Sequence, residues 1–126
     1  MSEQNHYLRA TTSQNLATAA LSYTTTFTGN FQLQFVHLKA STGITETVTC
    51  TWASRDGTAY NVTLDTSSLS TATNYVFRPS GNCIFQDGDK LTVSCTAANH
   101  TGIVYVTIVA EPYGSQVVGS ITDPGV

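Results

Sequence analysis

The residues best suited to proton transfer or nucleophilic attack are scattered along the chain. Its three histidines, His6, His37 and His100, fall in a polar N-terminal segment, in an apolar stretch and in a loop. No serine occupies a Gly-x-Ser-x-Gly motif, and no cysteine stands at a recognisable spacing from a histidine. Distant residues can converge into a catalytic triad, but the pattern names no catalytic residue, and we expect no enzyme.

Two carboxylates, Asp87 and Asp89, flank Gly88 and could supply oxygen ligands to a calcium ion. Calcium loops use more such oxygens, and the next carboxylates along the chain, Asp65 and Glu111, are distant. The preferred interpretation is a glycine turn whose flanking aspartates hydrogen-bond to their own backbone. We therefore expect no metal and no cofactor.

The three cysteines, Cys50, Cys83 and Cys95, form no Cys-x-x-Cys pair. Zinc would require a fourth ligand and closer pairing of the cysteines. An odd number of cysteines is typical of reduced thiols in a cytosol, and Cys50 and Cys95 each end an alternating apolar row. The sequence favours inert core thiols, with one disulfide between two of the three as the alternative.

Aromatic residues and one arginine are candidates for recognition. Trp52, Tyr60 and Tyr75 could form a platform on which a sugar ring stacks, but Trp52 shares its alternation with Val48, which favours core packing. Arg78 stands at the end of a strand, before a proline, where it could anchor an interface or lie in a solvated loop.

The elements that would position these residues are β-strands. Apolar and polar residues alternate with a period of two through most of the chain. A change of phase at Phe35–Val36 predicts either a β-bulge or a strand that passes into a two-sided environment. Turn residues separate about seven or eight such segments, and no helical period persists. The pattern predicts an all-β antiparallel β-sandwich with jelly-roll or immunoglobulin-like packing. Residues 103–110, IVYVTIVA, are apolar on both parities and predict a central strand covered on both faces.

Composition and patterning also divide the chain and limit its partners. We expect an N-terminal arm over 1–19, the sandwich over 20–111 and a C-terminal arm over 112–126. Only 5 of 126 residues are lysine or arginine, too few to line a groove that tracks phosphates, so we expect no nucleic-acid binding. No apolar run is long enough to span a membrane, and the first residues lack the pattern of a secretory signal.

The segment from Asp56 to Pro112 carries turn and strand motifs in a particular order. The first three motifs are an Asp-Gly-x-Ala-Tyr hairpin at 56–60, a Val-Thr-Leu strand at 62–64 and a Tyr/Phe-x-Pro corner at 75–79. They are followed by a Gly-Asp turn at 88–89, a Leu-x-Val strand at 91–93 and a late tyrosine-containing strand at 102–109. In this order the motifs resemble the small structural proteins of tailed-bacteriophage virions. The resemblance covers a little under half the chain, and it implies a β-sandwich that builds virions and catalyses nothing.

From this resemblance we expect a capsid decoration or head-associated protein of a bacteriophage virion, made in the host cytoplasm. Its partners would be the major capsid protein or neck and tail proteins, and it would form a homo-oligomer within a symmetric assembly. The alternatives are a neck or tail adaptor that attaches a fibre or spike, and a carbohydrate- or receptor-binding module. The residues expected to contact partners are Tyr7, Leu8, Arg9, Arg78, Tyr113, Val117 and Val118.

Overall fold

The computed structural model describes residues 7–114, and most of them lie in β-strands. A 3-10 turn spans Thr58–Tyr60. The strands, in chain order, are β1 (Leu8–Asn15), β2 (Leu21–Thr26), β3 (Phe31–Ile44), β4 (Thr47–Ala53), β5 (Val62–Ser68), β6 (Ala72–Phe77), β7 (Ile84–Phe85), β8 (Lys90–Cys95) and β9 (Ile103–Pro112).

The strands form two antiparallel sheets that pack face to face. Sheet A has the order β1-β9-β3-β6, with the short β7 paired to β3, and sheet B has the order β2-β8-β4-β5. All pairings in both sheets are antiparallel. The prediction of an all-β antiparallel sandwich is confirmed.

The order of pairing identifies the type of sandwich. The eight longer strands pair from the outside of the chain inward: β1 with β9, β2 with β8, β3 with β6 and β4 with β5. The chain changes sheet at every connection between these strands except that between β4 and β5. This nesting is the jelly-roll arrangement, whereas an immunoglobulin domain keeps its first two strands in one sheet. Of the two packings left open by the sequence, the protein has the jelly roll.

The core lies between the sheets and is built from one parity of each strand. In β4, Val48 and Cys50 are fully buried, while the threonines between them turn outward. This follows from the alternation of side chains along a strand. The predicted bulge is also present, because the pairing of β3 with β9 shifts register between Leu33 and Phe35. The shift turns Phe35 outward and keeps Val36 in the core.

The N-terminal boundary differs from the expectation of an arm over residues 1–19. Residues 8–15 form β1, which pairs with β9 along its whole length, from Leu8 opposite Ala110 to Asn15 opposite Ile103. Leu16 is fully buried, and its N–H donates to the carbonyl oxygen of Gly102. The sandwich therefore begins at residue 8, because hydrogen bonding to β9 orders a segment whose own pattern is mostly polar. At the other end, β9 extends to Pro112, where the C-terminal arm was expected to begin.

Strand β9 lies between β1 and β3, so its predicted central position is confirmed. Its inward residues, from Val104 to Ala110, are buried. Its outward residues are not: Tyr105 is 47% exposed, and Ile103 and Val109 are half-buried. Among residues 7–114, the core therefore covers only one face of β9, and the predicted cover of the other face is not found in this part of the chain.

Candidate interaction surfaces

Five of the residues predicted to contact partners lie within residues 7–114, and they differ in how far they are exposed to solvent. Tyr7 is exposed, whereas Leu8 packs against the core as the first residue of β1. Arg9 and Arg78 are exposed. Tyr113 is partly exposed, and its N–H donates to the carbonyl oxygen of Asn30. The remaining two, Val117 and Val118, lie outside the described residues.

The two arginines are brought to one surface by the register of sheet A. Arg9 on β1 lies opposite Val109 on β9, and Val109 lies opposite Phe35 on β3. The guanidinium carbon of Arg78, just after β6, lies 5.1 Å from the centroid of the Phe35 ring. A single row across sheet A therefore has an arginine at each end and two apolar side chains between them.

This row belongs to a partly apolar surface that we call the A face. Its exposed apolar and aromatic side chains include Val76, which is 49% exposed, and Tyr105. His37 lies beside Val76 and is joined to Asn74 by a hydrogen bond of 3.0 Å. The A face comprises the outward residues Arg9, Thr11, Ser13, Asn15, Gln32, Phe35, His37, Lys39, Asn74, Val76, Arg78, Ile103, Tyr105, Thr107, Val109 and Glu111.

The outer surface of sheet B, here called the B face, has a different chemistry. Its outward positions are almost all hydroxyl residues, and the hydroxyl oxygens of Thr24 and Thr92, on neighbouring strands, lie 3.0 Å apart. Lys90 is the one charged residue among these outward positions. The B face comprises Ser22, Thr24, Thr26, Thr47, Thr49, Thr51, Thr63, Thr66, Ser68, Lys90, Thr92 and Ser94. Cross-strand threonine pairs of this kind suit a sheet surface that faces water.

A groove opens where β5 of sheet B meets the β6–β7 connection of sheet A, and we call it the edge groove. Its first part is a cavity of about 450 Å³ lined by Trp52, Ser54, Asp56, Tyr60, Val62, Ile84, Gln86 and Asp89. Its second part, of about 440 Å³, continues towards Leu64, Phe77 and Arg78 and also contacts Trp52 and Val62. The two parts therefore share one wall.

The three aromatic residues proposed for sugar stacking have different positions. Trp52 is half-buried and stacks on Phe85, with ring centroids 4.6 Å apart. Tyr60 is 67% exposed at the end of the 3-10 turn. Tyr75 is in the core, where its hydroxyl donates to Asp65 over 2.6 Å. Burial, and then this hydrogen bond, raise the pKa of Tyr75 well above its usual value. Trp52 and Tyr60 thus line the groove, and Tyr75 does not.

The acidic pair lies at the predicted glycine turn, but only one of its hydrogen bonds comes from the backbone of the turn itself, and two come from remote segments. The two carboxylate oxygens of Asp89 accept hydrogen bonds from the N–H groups of Arg55 and Gln86, at 2.8 and 2.9 Å. Asp87 accepts the N–H of Gly29 over 2.7 Å. Gly88 supplies the positive φ of 94° that the turn requires. In residues 7–114 no three His, Cys, Asp or Glu side chains converge as metal ligands would.

A second buried carboxylate ties two connections together. Glu46, between β3 and β4, accepts hydrogen bonds from the hydroxyl of Thr96 and from the N–H groups of Ala98 and Asn99, at 2.7 to 2.9 Å. Burial alone would raise the pKa of Glu46, but these hydrogen bonds hold it below its usual value. The ionised side chain of Glu46 therefore links the β3–β4 connection to the β8–β9 connection through hydrogen bonds.

The cysteines are free and buried, in agreement with inert core thiols rather than a disulfide. Burial is the main reason that the pKa of each thiol is raised from 9.0 to about 11. At neutral pH the thiols are protonated and shielded, which is the opposite of what a nucleophilic cysteine requires.

No protein-family model matches this chain, and no curated protein matches it significantly. The described residues include no helix of the length and apolar character needed to cross a lipid bilayer. The assignment of a function therefore depends on the surfaces themselves.

Several residues of these surfaces were not singled out by the sequence. Val76, Tyr105 and Val109 on the A face were missed, although the two-sided apolar pattern of residues 103–110 is a signal for part of that surface. In the edge groove, Asp56 and Gln86 were missed because nothing local relates them. These two residues line the same cavity only because the β4–β5 connection lies beside β7.

Proposed function

We propose that the protein is a structural protein of a bacteriophage virion, most simply a capsid decoration or head-associated protein. It binds neighbouring virion subunits through the A face and through the chain termini beside it. The observation that carries this proposal is the difference between the two outer faces of the sandwich. The A face presents aromatic and branched apolar side chains to solvent, and the B face presents hydroxyl groups.

The composition of the A face is that of a protein interface. Tyrosine, phenylalanine and arginine are enriched at interfaces, and they frequently contribute most of the binding energy. Among residues 7–114, the apolar outward residues of β9 are only partly covered, although the same sequence pattern is typical of strands covered on both sides. A partner seated on the A face would bury Tyr105 and Val109 and complete that cover.

Charge indicates the nature of the partner surface. Arg9, Lys39 and Arg78, three of the five basic residues, lie on the A face. The protein as a whole carries a formal charge of −3, so this face is basic against an acidic background. A neutral or acidic region of a capsid, neck or tail subunit complements it, and such complementarity favours one docking orientation.

The fold and the termini are compatible with a shell component. Jelly rolls are recurrent in viral capsid proteins, although the fold alone hosts several functions. Tyr7 precedes β1 and Tyr113 follows β9, and the pairing of these two strands places both residues at one end of sheet A. Contacts of this kind repeated by symmetry would give a homo-oligomer.

The proposal is tested with particles that lack the protein, to which the purified full chain is added before sedimentation. The wild-type chain is expected to sediment with the particles, and Val76→Asp, which places a carboxylate on the edge strand β6 of the A face, is expected not to. Thr63→Asp is the matched control, because it adds the same charge at an exposed position of an edge strand on the B face. Equal sedimentation of the two variants would contradict the docking assignment.

The distribution of bound protein distinguishes the two virion roles. A decoration or head-associated protein occupies sites repeated over the shell, whereas a neck or tail adaptor occupies one ring. Electron microscopy of particles labelled through a tag on the chain separates these patterns. Label restricted to one vertex would replace the head assignment by the adaptor.

A further inference from the structure

We propose that the edge groove binds a neutral oligosaccharide. The first cavity of this site is separate from the A face, because it is lined by the β4–β5 connection and by residues next to β7. The second cavity borders the A face at Arg78. The proposal does not depend on a role in virions, and a docked subunit could still present the groove to solvent.

The groove contains a rigid aromatic platform. Trp52 stacks on Phe85, and Phe85 packs against Phe27 with ring centroids 4.6 Å apart, so the indole cannot swing into the core. Tyr60 adds a second ring, which is mostly exposed. A pyranose ring presents apolar C–H groups on its faces, and these pack on aromatic surfaces of this kind. Such contacts combine buried apolar area with a defined orientation.

Polar groups next to the platform are available to sugar hydroxyls. The carboxylate of Asp56 and the side-chain amide of Gln86 have no hydrogen-bond partner among the described residues, and both residues are exposed at the cavity. A carboxylate accepts hydrogen bonds from hydroxyls, and an amide both donates and accepts, which suits adjacent hydroxyls on one sugar. The nearby Asp89 is committed to backbone N–H groups and shapes the wall instead.

Charge and shape define the class of sugar. The first cavity is lined by two carboxylates and no cation, so a sulfated, phosphorylated or sialylated ligand would be repelled. The second cavity extends the same wall beyond Val62, which provides space for a further sugar unit. Its arginine, Arg78, is engaged with the ring of Phe35. The groove therefore favours a neutral chain of sugars over a single acidic one.

The segment that carries Tyr60 is held in place before any ligand arrives. Within it, the N–H of Tyr60 donates to the carbonyl of Gly57, and the N–H of Ser54 donates to the side chain of Asn61. The segment is anchored to the glycine turn because Arg55 donates to Asp89 and to the carbonyl of Asp87. Little ordering is then needed on binding, which reduces the entropic cost of association.

The test is a titration of the full isotopically labelled chain with cellotetraose, maltotetraose and chitotetraose, followed by NMR. At least one of these neutral probes is expected to shift the indole N–H resonance of Trp52 with a Kd of about 1 mM. Tyr60→Ala is expected to weaken that binding about tenfold, since it removes one stacking ring. Sialyllactose, the acidic probe, is expected to cause no shift at Trp52.

Tyr105→Ala is the matched control, because Tyr105 is a similarly exposed tyrosine on the A face. It should leave sugar affinity unchanged while weakening docking, and Tyr60→Ala should do the reverse. Absence of any shift with the three neutral probes would overturn the proposal, as would equal affinity of wild type and Tyr60→Ala. Shifts at Trp52 that depend only on protein concentration would assign the groove to a second copy of the chain and also overturn it.

Discussion

The guanidinium group of Arg78 lies over the ring of Phe35, with 5.1 Å between its central carbon and the ring centroid. Phe35 faces outward because the bulge in β3 changes the parity of the strand at that point. The cation–π contact holds a long side chain against the sheet, so its charge is presented at a fixed position over Phe35. A partner that docks there meets an arginine that is already ordered.

The first prediction concerns this arginine. Arg78→Ala should weaken docking to virion particles and reduce its dependence on ionic strength, because salt screens the attraction between exposed charges. Sedimentation of the full chain with particles, repeated at low and high salt, measures both effects. Lys90→Ala removes one positive charge from the B face and should change neither. An equal loss of docking in both variants would mean that docking depends on the total charge of the protein and not on the position of Arg78.

The second prediction concerns the N-terminal segment. Leu16→Ala should lower the free energy of unfolding by about 2–5 kcal/mol, since it leaves a cavity at a fully buried position. Val76→Ala, at an exposed position, should cost about 0.5 kcal/mol or less. Chemical denaturation measures both values. A small effect at Leu16 would show that the segment after β1 is not part of the core.

Deletion of residues 1–15 is a related but separate prediction. It removes β1 and leaves β9, an apolar strand, as an uncovered sheet edge that can pair with other molecules. We expect the truncated chain to aggregate, as measured by size-exclusion chromatography. Deletion of residues 1–6 retains β1 and should leave a folded chain. If both truncated chains remain folded and dispersed, pairing of β1 with β9 is dispensable.

The fourth prediction is a loss of stability at alkaline pH. The pKa values of Cys50, Cys83 and Cys95 are raised in the folded protein from 9.0 to about 11, so the unfolded chain loses these protons first. Their contribution to stability is complete below pH 9 and is lost as pH rises towards about 11, by at most about 1.4 kcal/mol per thiol for each pH unit. Tyr75 shifts in the same direction and continues the loss at higher pH.

Thermal denaturation as a function of pH measures this alkaline slope. Cys83→Ala removes one of the three thiols and should make the slope shallower, because burial is the only cause of its shift. A slope that is the same in this variant and in the wild type would assign the alkaline loss to other groups.

The fifth prediction concerns acid stability and Glu46. The pKa of this carboxyl is lowered in the folded protein, so its contribution is complete above its usual pKa of 4.5 and is lost as the pH falls below that value. Glu46→Gln should cost about 1–3 kcal/mol at neutral pH, because the amide satisfies fewer of the three buried donors. It should also flatten the acid limb. An acid limb that is the same in Glu46→Gln and in the wild type would contradict this assignment.

Much of the fold follows from patterns that are local in the chain. The alternation of Val48 and Cys50 with threonines determines which side of β4 is buried, since successive side chains of a strand point to opposite faces. The change of phase at Phe35 indicates the bulge for the same reason. The glycine turn at Asp87–Asp89 is also local, because Gly88 permits a backbone conformation that other residues avoid.

The tertiary structure alone decided how distant segments combine. Residues 8–15 lack a strong pattern, and they form a strand because β9, far along the chain, supplies their hydrogen-bond partners. Arg9 and Arg78 share a surface only through the register of β1, β9 and β3. The edge groove likewise exists because a connection of sheet B lies beside sheet A. Such pairings depend on contacts between residues remote in sequence, and no periodicity within one segment can specify them.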